Sequence, residues 1–195
     1  MGGIGGNIGR INLEGSIVTT NMQASVDSIR QTAWVSDWVV LQPKIGDEYG
    51  GGIIAYLGSE GDFINGMVVS SVDTAVAKWG CRGTYIGTSF DMGTGSANTA
   101  AIVVGCGDEN IAAKVCDNLS LNGYTDWFLP SRDELEEIYD NKSEIDGNFG
   151  LGFYWSSSEP FFLGTNAAGV IQFDDGLKAA GDKNNNSTFR AVRGV

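Results

Sequence analysis

Glycine is the feature that most constrains how this chain folds. The 195 residues include 29 glycines, which makes the chain unusually rich in turns. Residues 50–58 and 66–73 are short, β-rich runs bounded by glycine, a pattern typical of sheet strands. Four more strand-like runs lie in the C-terminal third, at residues 153–158, 167–173, 177–180 and 188–193. We therefore expect sheets of short strands, and a long helical bundle is disfavoured.

The connections between the last strands also carry signals. Asp175 and Gly176 form the dipeptide favoured by a two-residue hairpin, in which both positions need a positive φ. Residues 181–187 are polar and predict an exposed loop.

Helical patterns occupy the middle of the chain. Residues 96–104 and 109–119 have helical composition, and in the second segment Ile111, Val115 and Leu119 share one face. Asp108 is a candidate N-cap of that helix.

The strongest helix signal begins at Ser131. Glu134 follows three residues later, the spacing of a capping box, and Pro130 stands just ahead of the cap. Leu135 and Ile138 form the apolar stripe of this helix.

Large and charged side chains around this helix are expected to serve as scaffold. Trp127 and Trp155 each combine a large apolar body with an N–H that needs a partner, which suits a core with nearby backbone. Arg190 and Arg193 are assigned to one face of a strand, and a buried arginine must be paired. Candidate partners are Glu134 and Glu137.

Composition excludes several functions. The formal charge is −12, so a phosphate backbone would be repelled and nucleic acid is a poor partner. No apolar run approaches the roughly 20 residues of a membrane span, and no signal peptide is recognisable at the N-terminus. Cys81, Cys106 and Cys116 fit neither a zinc site nor a small disulfide framework, so buried free thiols are expected.

Catalysis and metal binding have little support. Histidine is absent, which removes the commonest general base and metal ligand at neutral pH. Calcium sites need clustered oxygen ligands, and a lectin-type Glu-Pro-Asn run is missing because Phe161 follows Pro160. We expect no cofactor and no metal.

Residues 1–44 differ in texture from the rest and are predicted to form an N-terminal arm. Met22, Val26, Ile29 and Ala33 have the spacing of one helix face. This short segment cannot bury its own apolar residues, so we expect it to attach to other proteins and to hold an oligomer, most simply a homotrimer.

Residues 45–195 resemble a known family. The carrying motifs, in order, are GGGIIAYL, WGC, NGYTDWFLPSRDELEEIY, YWSSSE and FRAVR. They resemble the Lcl C-terminal-like domain family. The resemblance implies an α+β domain of C-type lectin-like or formylglycine-generating-enzyme-like fold, with two helices flanking a twisted antiparallel sheet.

The resemblance implies binding and not chemistry, because the family is found in phage structural proteins and bacterial surface adhesins. The expected function is that of a non-enzymatic virion protein, a head or tail fibre subunit whose C-terminal domain binds a host-surface glycan or protein. A bacterial cell-surface adhesin is the first alternative. An oxidase similar to formylglycine-generating enzyme is the second, and the apolar surroundings of Cys106 and Cys116 disfavour the thiolate that it needs.

The receptor-binding surface is predicted on loops beside the C-terminal sheet. Phe161 and Phe162 lie in a loop with no periodic pattern to bury them, and exposed aromatic residues rimmed by polar ones mark contact sites. The polar members of the predicted surface are Asp174, Asp175, Asp182, Asn184, Asn185 and Asn186. The alternative is that both phenylalanines tuck under the loop and that the asparagines form only a solvated turn.

Overall fold

Two β-sheets carry the fold of the region that the structure describes. The structure is a computed structural model, and it describes residues 43–58, 66–145 and 149–195. The chain divides into two units, Met1–Pro43 and Lys44–Val195. The predicted arm, except its last two residues, therefore lies outside the described residues, and the account below concerns the second unit.

The smaller sheet has four strands in the order β1-β2-β3-β9. Its strands are β1 (Glu48–Tyr49), β2 (Gly52–Tyr56), β3 (Met67–Val69) and β9 (Val192–Gly194). All neighbours are antiparallel. The three residues of β3 are all buried, so this sheet is covered on both faces.

The larger sheet has five strands in the order β4-β8-β5-β6-β7. Its strands are β4 (Ala75–Lys78), β5 (Phe153–Trp155), β6 (Ala167–Gln172), β7 (Lys178–Asp182) and β8 (Asn186–Phe189). The pairs are antiparallel except β5 with β8, which run parallel at Tyr154 and Thr188.

Three helices occur among the described residues: α1 (Gly95–Gly105), α2 (Ala112–Asp117) and α3 (Arg132–Asp140). The predicted capping box of α3 is confirmed. Ser131 Oγ accepts from the Glu134 N–H at 3.2 Å, and a Glu134 carboxylate oxygen accepts from the Ser131 N–H at 2.7 Å. No helix in the described ranges has the length and apolar character needed to cross a membrane.

Alternate residues of β2 enter two different apolar clusters. Ile54 joins a cluster with Trp79, Trp127 and Trp155, against which α1 and α2 pack. Ile53 joins the second cluster, which contains Leu135 of α3. The period of two in a strand sends successive side chains to opposite faces, so the small sheet separates the two cores.

The structure confirms an α+β fold and corrects its details. The family resemblance implied two helices and one antiparallel sheet, whereas the described residues form two sheets and three helices, at the three segments where the sequence pattern predicted helices. The run 188–193, interpreted as one strand, is divided between β8 in the large sheet and β9 in the small one. The sequence pattern of a strand runs through residues 188–193 without interruption. In the structure, however, β8 ends before Arg190 and β9 begins after Ala191.

The hairpin between β6 and β7 also differs from the prediction. The Gln172 N–H donates to the Leu177 carbonyl at 2.9 Å, which closes a four-residue loop and not a two-residue one. Gly176 has a φ of +80°, whereas Asp175 is absent from the non-glycine residues with positive φ in the described chain. The expectation of two positive φ angles was therefore wrong at Asp175.

Candidate recognition site

Three loops of the large sheet meet at one of its ends. The Lys183 N–H, just after β7, donates to the Asn166 carbonyl just before β6 at 2.9 Å, and the Gly80 N–H, just after β4, donates to the Lys183 carbonyl at 3.2 Å. The Ser158 carbonyl, just after β5, accepts the Gly169 N–H of β6 at 2.8 Å. The loops after β4, after β5 and between β7 and β8 are therefore neighbours. We call this surface the loop end of the sheet.

The most exposed feature of the loop end is a short 3₁₀ turn, Phe161–Leu163, hereafter the apolar turn. Phe161 is 72%, Phe162 66% and Leu163 52% exposed. The two phenylalanine rings meet edge to face with centroids 5.5 Å apart. The alternative in which the phenylalanines tuck under the loop is thus excluded, and an apolar surface of three consecutive residues faces solvent.

The apolar turn is anchored by Glu159, which is buried. One carboxylate oxygen accepts the backbone N–H groups of Ile86 and Gly87 at 2.7 and 2.8 Å. The other pairs with the ammonium of Lys183. This carboxylate therefore joins the loop after β4, the loop after β5 and the β7–β8 turn.

Lys183 completes the anchor from the other side. Its ammonium also donates to the Thr84 carbonyl at 2.8 Å and lies 4.4 Å from the centroid of the Trp79 ring. The side chain is fully buried, so the prediction that residues 181–187 form an exposed loop is wrong at this position. It is also wrong at Gly181 and Asp182, which end β7, and at Asn186 and Ser187, which begin β8. Alternation offered a signal, because Lys183 continues the row of Ala179 and Gly181 on the core face of β7.

Polar groups flank the apolar turn. Asp182 forms an ion pair with Arg82 at 3.1 Å, and its carboxylate also accepts the Asn184 N–H at 2.9 Å. The Asn184 N–H bond, followed by Arg82, lowers the pKa of Asp182. Asn184, Asn185 and Asn186 are exposed, and Asn186 is the first residue of β8.

The other two predicted binding residues lie elsewhere. Asp174 and Asp175 are in the β6–β7 hairpin, at the opposite end of the large sheet from the apolar turn. Six residues of β6 at about 3.3 Å each put about 20 Å between the two ends. Asp174 accepts the Gly152 N–H at 2.8 Å, and Asp175 accepts the Leu177 N–H at 3.0 Å. The eight predicted residues therefore form two separate sets.

The cysteines differ from the sequence-based expectation. Cys81 and Cys106 form a disulfide that links the loop after β4 to the end of α1, and only Cys116 is a free, buried thiol. Burial, with a smaller contribution from Asp117, raises the pKa of Cys116. The Asp108 carboxylate accepts the Cys81 N–H at 2.8 Å, so it holds the disulfide loop and does not cap α2.

The predicted scaffold tryptophans and their neighbours are buried: Trp127, Pro130, Ser131, Glu134 and Trp155. Trp155 donates its indole N–H to the Ala77 carbonyl at 3.0 Å, and the Pro130 carbonyl accepts the Ser157 N–H at 2.7 Å. The Trp127 N–H has no hydrogen-bond partner among the described residues.

The predicted partners of the arginines are wrong. Arg190 is fully buried and pairs with Asp73 at 3.0 Å, and Arg193 pairs with Asp126 at 2.7 Å. Glu134 is instead used by the capping box and by the Gly93 N–H at 3.1 Å. Since Arg190 precedes β9 and Arg193 lies within it, the two arginines do not share one strand face.

No group of three or more His, Cys, Asp or Glu side chains in the described parts of the chain is arranged to hold a metal ion.

Comparison with known proteins identifies the domain. The model of the Lcl C-terminal domain family matches residues 83–193, more than half of the chain. No curated protein matches the sequence significantly. The matched region runs from the disulfide loop to β9 and includes the apolar turn with its Glu159–Lys183 anchor. The chain therefore belongs to the Lcl C-terminal domain family.

Proposed function

We propose that this protein is a non-enzymatic virion component, a head or tail fibre subunit, whose C-terminal domain binds a host-surface glycan or protein at the loop end of the large sheet. In this proposal the apolar turn forms the contact centre. Asn184 and Asn185 supply adaptable hydrogen-bonding groups beside it.

The observation that carries the proposal is the exposure of Phe161 and Phe162 on a backbone held from below by buried charges. Burying consecutive large apolar side chains against a partner removes apolar surface from water, which favours binding. The Glu159–Lys183 anchor fixes the loop before a partner arrives, which lowers the entropy lost on binding. An aromatic centre with a polar rim is the usual composition of a protein contact site.

We further propose that the two-sheet domain is a variant of the C-type lectin-like fold. Membership of the Lcl C-terminal domain family supports this, as do the α+β composition and the mainly antiparallel pairing. Sugar binding through a lectin-type calcium site is not part of the proposal.

The proposal excludes the oxidase alternative on chemical grounds. Thiolate chemistry needs an accessible cysteine with a lowered pKa. Cys116 is buried with a raised pKa. Cys81 and Cys106 are joined to each other, and the Asp108 carboxylate, 3.8 Å from the Cys106 sulfur, would oppose a negative charge there.

Attachment to the particle is assigned to residues 1–44, of which residues 1–42 lie outside the described structure. Their apolar helix-face pattern supports contacts with other virion proteins and a homotrimer. Light scattering of the full chain and of a chain starting at Ile45 tests this. Two monomers at micromolar concentration would refute the oligomer.

A bacterial cell-surface adhesin is a second candidate, and the disulfide is the observation that favours it. Disulfides persist in oxidising surroundings outside the cytosol. Virion assembly takes place in the reducing cytosol, where Cys81 and Cys106 would stay reduced until release. Antibody labelling of intact cells, compared with labelling of purified particles, separates the two locations.

The binding proposal is tested by replacing Phe161 and Phe162 with serine. The matched control replaces Leu151 and Phe153, two exposed apolar residues at the opposite end of the sheet. Loss of contact-centre residues costs about 2 kcal/mol or more, so adsorption of the assembled particle to host cells should fall by at least about tenfold only for the first pair. Unchanged adsorption by a folded Phe161 and Phe162 variant would overturn the site.

A further inference from the structure

The outer edge of β7 is an unpaired strand edge. β7 is the last strand of the five-stranded sheet, and within the described ranges it pairs only with β6. Lys178 and Ala180 are exposed. An open edge of this kind is a template for another strand.

The hydrogen-bond pattern shows which backbone groups face outward. The Leu177 carbonyl accepts from Gln172, and the Lys183 N–H donates to Asn166. Antiparallel ladders alternate between inward-bonded and outward-facing residues. Leu177, Lys183 and the odd-numbered residues between them therefore face β6. Lys178 and Ala180 direct their N–H and C=O groups away from the sheet, and Asp182 directs its N–H away, whereas the Asp182 carbonyl accepts the Asn185 N–H at 2.8 Å.

Charges on this edge are arranged with two-fold complementarity. Lys178 and Asp182 lie two residues to either side of Ala180. If two such edges pair antiparallel about Ala180, each lysine comes opposite the aspartate of the other copy. Charged residues on an edge normally prevent self-association, but these two would attract their symmetry mates.

The existing ion pairs extend this complementarity. Lys178 is already paired with Glu136 of α3, and Asp182 with Arg82. Across the paired edges the charges would run in alternating order: Arg82, Asp182, Lys178 of the second copy and Glu136 of the second copy. Each Asp182 would then lie between two positive charges, and each Lys178 would lie between two negative charges.

The side chains of β7 leave room for a second strand. Between the two charged residues stand only alanine and glycine. Gly181 lies against Trp155, where a Cβ would come within 2.8 Å of the ring, so small residues are required on the core face. Ala180, on the other face, presents only a methyl group at the centre of the edge.

We propose that β7 is a homodimer interface, in which the outer edge of β7 pairs antiparallel with β7 of a second copy about a two-fold axis at Ala180. The register forms about four backbone hydrogen bonds, two between the Ala180 residues and two from the Asp182 N–H groups to the Lys178 carbonyls of the other copy. The large sheets of the two copies then form one continuous ten-stranded sheet. Because the strands are antiparallel, the two loop ends point in opposite directions.

This interface goes beyond the proposed function and does not depend on it. The apolar turn could bind a partner from a monomer, and β7 could pair even if the apolar turn binds nothing. It is also independent of residues 1–44, whichever oligomer they form.

Cysteine placement at the axis tests the register directly. The two Ala180 Cα atoms would lie about 5.5 Å apart, within the roughly 4.4–6.8 Å range of disulfides. The full-length Ala180→Cys variant should therefore form a covalent dimer under mild oxidation. The control is Ala179→Cys, because two copies of residue 179 would be about 8 Å apart in this register.

The cross-linking has clear outcomes. A covalent dimer of Ala180→Cys at least about tenfold more abundant than that of Ala179→Cys, with both variants folded, supports the interface. Equal cross-linking, or none, overturns it. A different protein or an extended peptide as the natural occupant of the edge would leave the purified chain without cross-links and would also overturn it.

A charge reversal gives a second measurement without new thiols. Lys178→Glu would place like charges opposite each other twice in the dimer, and should weaken self-association by at least about tenfold in sedimentation experiments at low salt. Lys78→Glu, which changes the same charge at an exposed position of β4, at the opposite edge of the large sheet, is the control and should have little effect. Equal sedimentation of the two variants would refute the charge pairing.

Discussion

Replacing Lys183 with methionine is expected to cost far more stability than its place beside an exposed asparagine turn would indicate. Methionine keeps most of the side-chain volume but removes the ammonium. Glu159 would then remain buried with two backbone N–H donors on one oxygen and no ionic partner on the other. The Thr84 carbonyl would lose its donor as well.

The magnitude follows from burial. Removing one partner of a buried ion pair costs about 3–5 kcal/mol, because the remaining charge stays out of water. The two backbone bonds to Glu159 persist, so a value near 3 kcal/mol is expected. Lys178→Met removes the partner of Glu136 in a pair whose side chains are 46% and 32% exposed, and it should cost about 0–1 kcal/mol.

Urea unfolding at pH 7 measures the difference. With a slope of about 2 kcal/mol per molar urea, Lys183→Met should lower the midpoint by about 1.5 M and Lys178→Met by less than about 0.5 M. Adding Glu159→Gln to Lys183→Met removes the buried charge while its amide oxygen can still accept the two N–H groups. This double variant should regain about 1–2 kcal/mol. Equal losses for the two single variants would refute the reasoning.

Three further predictions concern the scaffold. The Cys81–Cys106 disulfide closes a loop with a sequence separation of 25, so its reduction should lower the free energy of unfolding by about 3.5 kcal/mol. Urea unfolding with and without reductant measures this difference, and an unchanged free energy would contradict the cross-link. Ser131→Ala should cost about 1 kcal/mol through loss of the cap, and Trp155→Ala about 3–5 kcal/mol through the cavity; equal, small effects in denaturant melts would contradict the scaffold role. Burial raises the pKa of Glu134 above 4.5, so the folded state binds the proton more tightly than the unfolded state does. The stability of the wild type relative to Glu134→Gln should therefore decrease as the pH rises from 4.5 through the folded-state pKa. A relative stability that increases over this window would show the opposite sign.

Local features were predicted well because their determinants are close in sequence. The capping box needs only Ser131, Glu134 and the apolar stripe behind them, and all lie within one helix. Most strand runs were located for the same reason, since alternation is visible within five or six residues. No run was predicted at β1 or at β4, which are only two and four residues long. Burial of Trp127 and Trp155 followed from the size of their apolar surface.

Partners distant in the chain could not be predicted from these patterns. Arg190 pairs with Asp73 across 117 positions, and Arg193 pairs with Asp126 across 67. The sequence pattern instead pointed to Glu134 and Glu137, two carboxylates of the predicted helix α3. Only the arrangement of the two sheets brings the correct carboxylates to each arginine.

The loops gave mixed results for a related reason. A loop is predicted from the absence of a periodic pattern, and this absence does not say which side chains are buried. Phe161 and Phe162 could therefore be either exposed or tucked under the loop, and the structure shows that they are exposed. It also grouped Asp174 and Asp175 with Asn184–Asn186, although a strand separates the two sets. Loop residues are neighbours only when the strands that carry them end on the same side.

The loop end of the sheet separates the groups that hold the backbone from the groups available to a partner. Glu159 and Lys183 are buried and connect three loops, whereas the side chains of the apolar turn are directed to solvent. Substitutions of surface residues usually change stability by no more than about 0.5 kcal/mol, so Phe161→Ser with Phe162→Ser should leave the urea midpoint nearly unchanged. Lys183→Met should reduce both stability and binding, because the loops would lose their common anchor. A phenylalanine variant that loses as much stability as Lys183→Met would mean that the turn is part of the scaffold and not a contact surface.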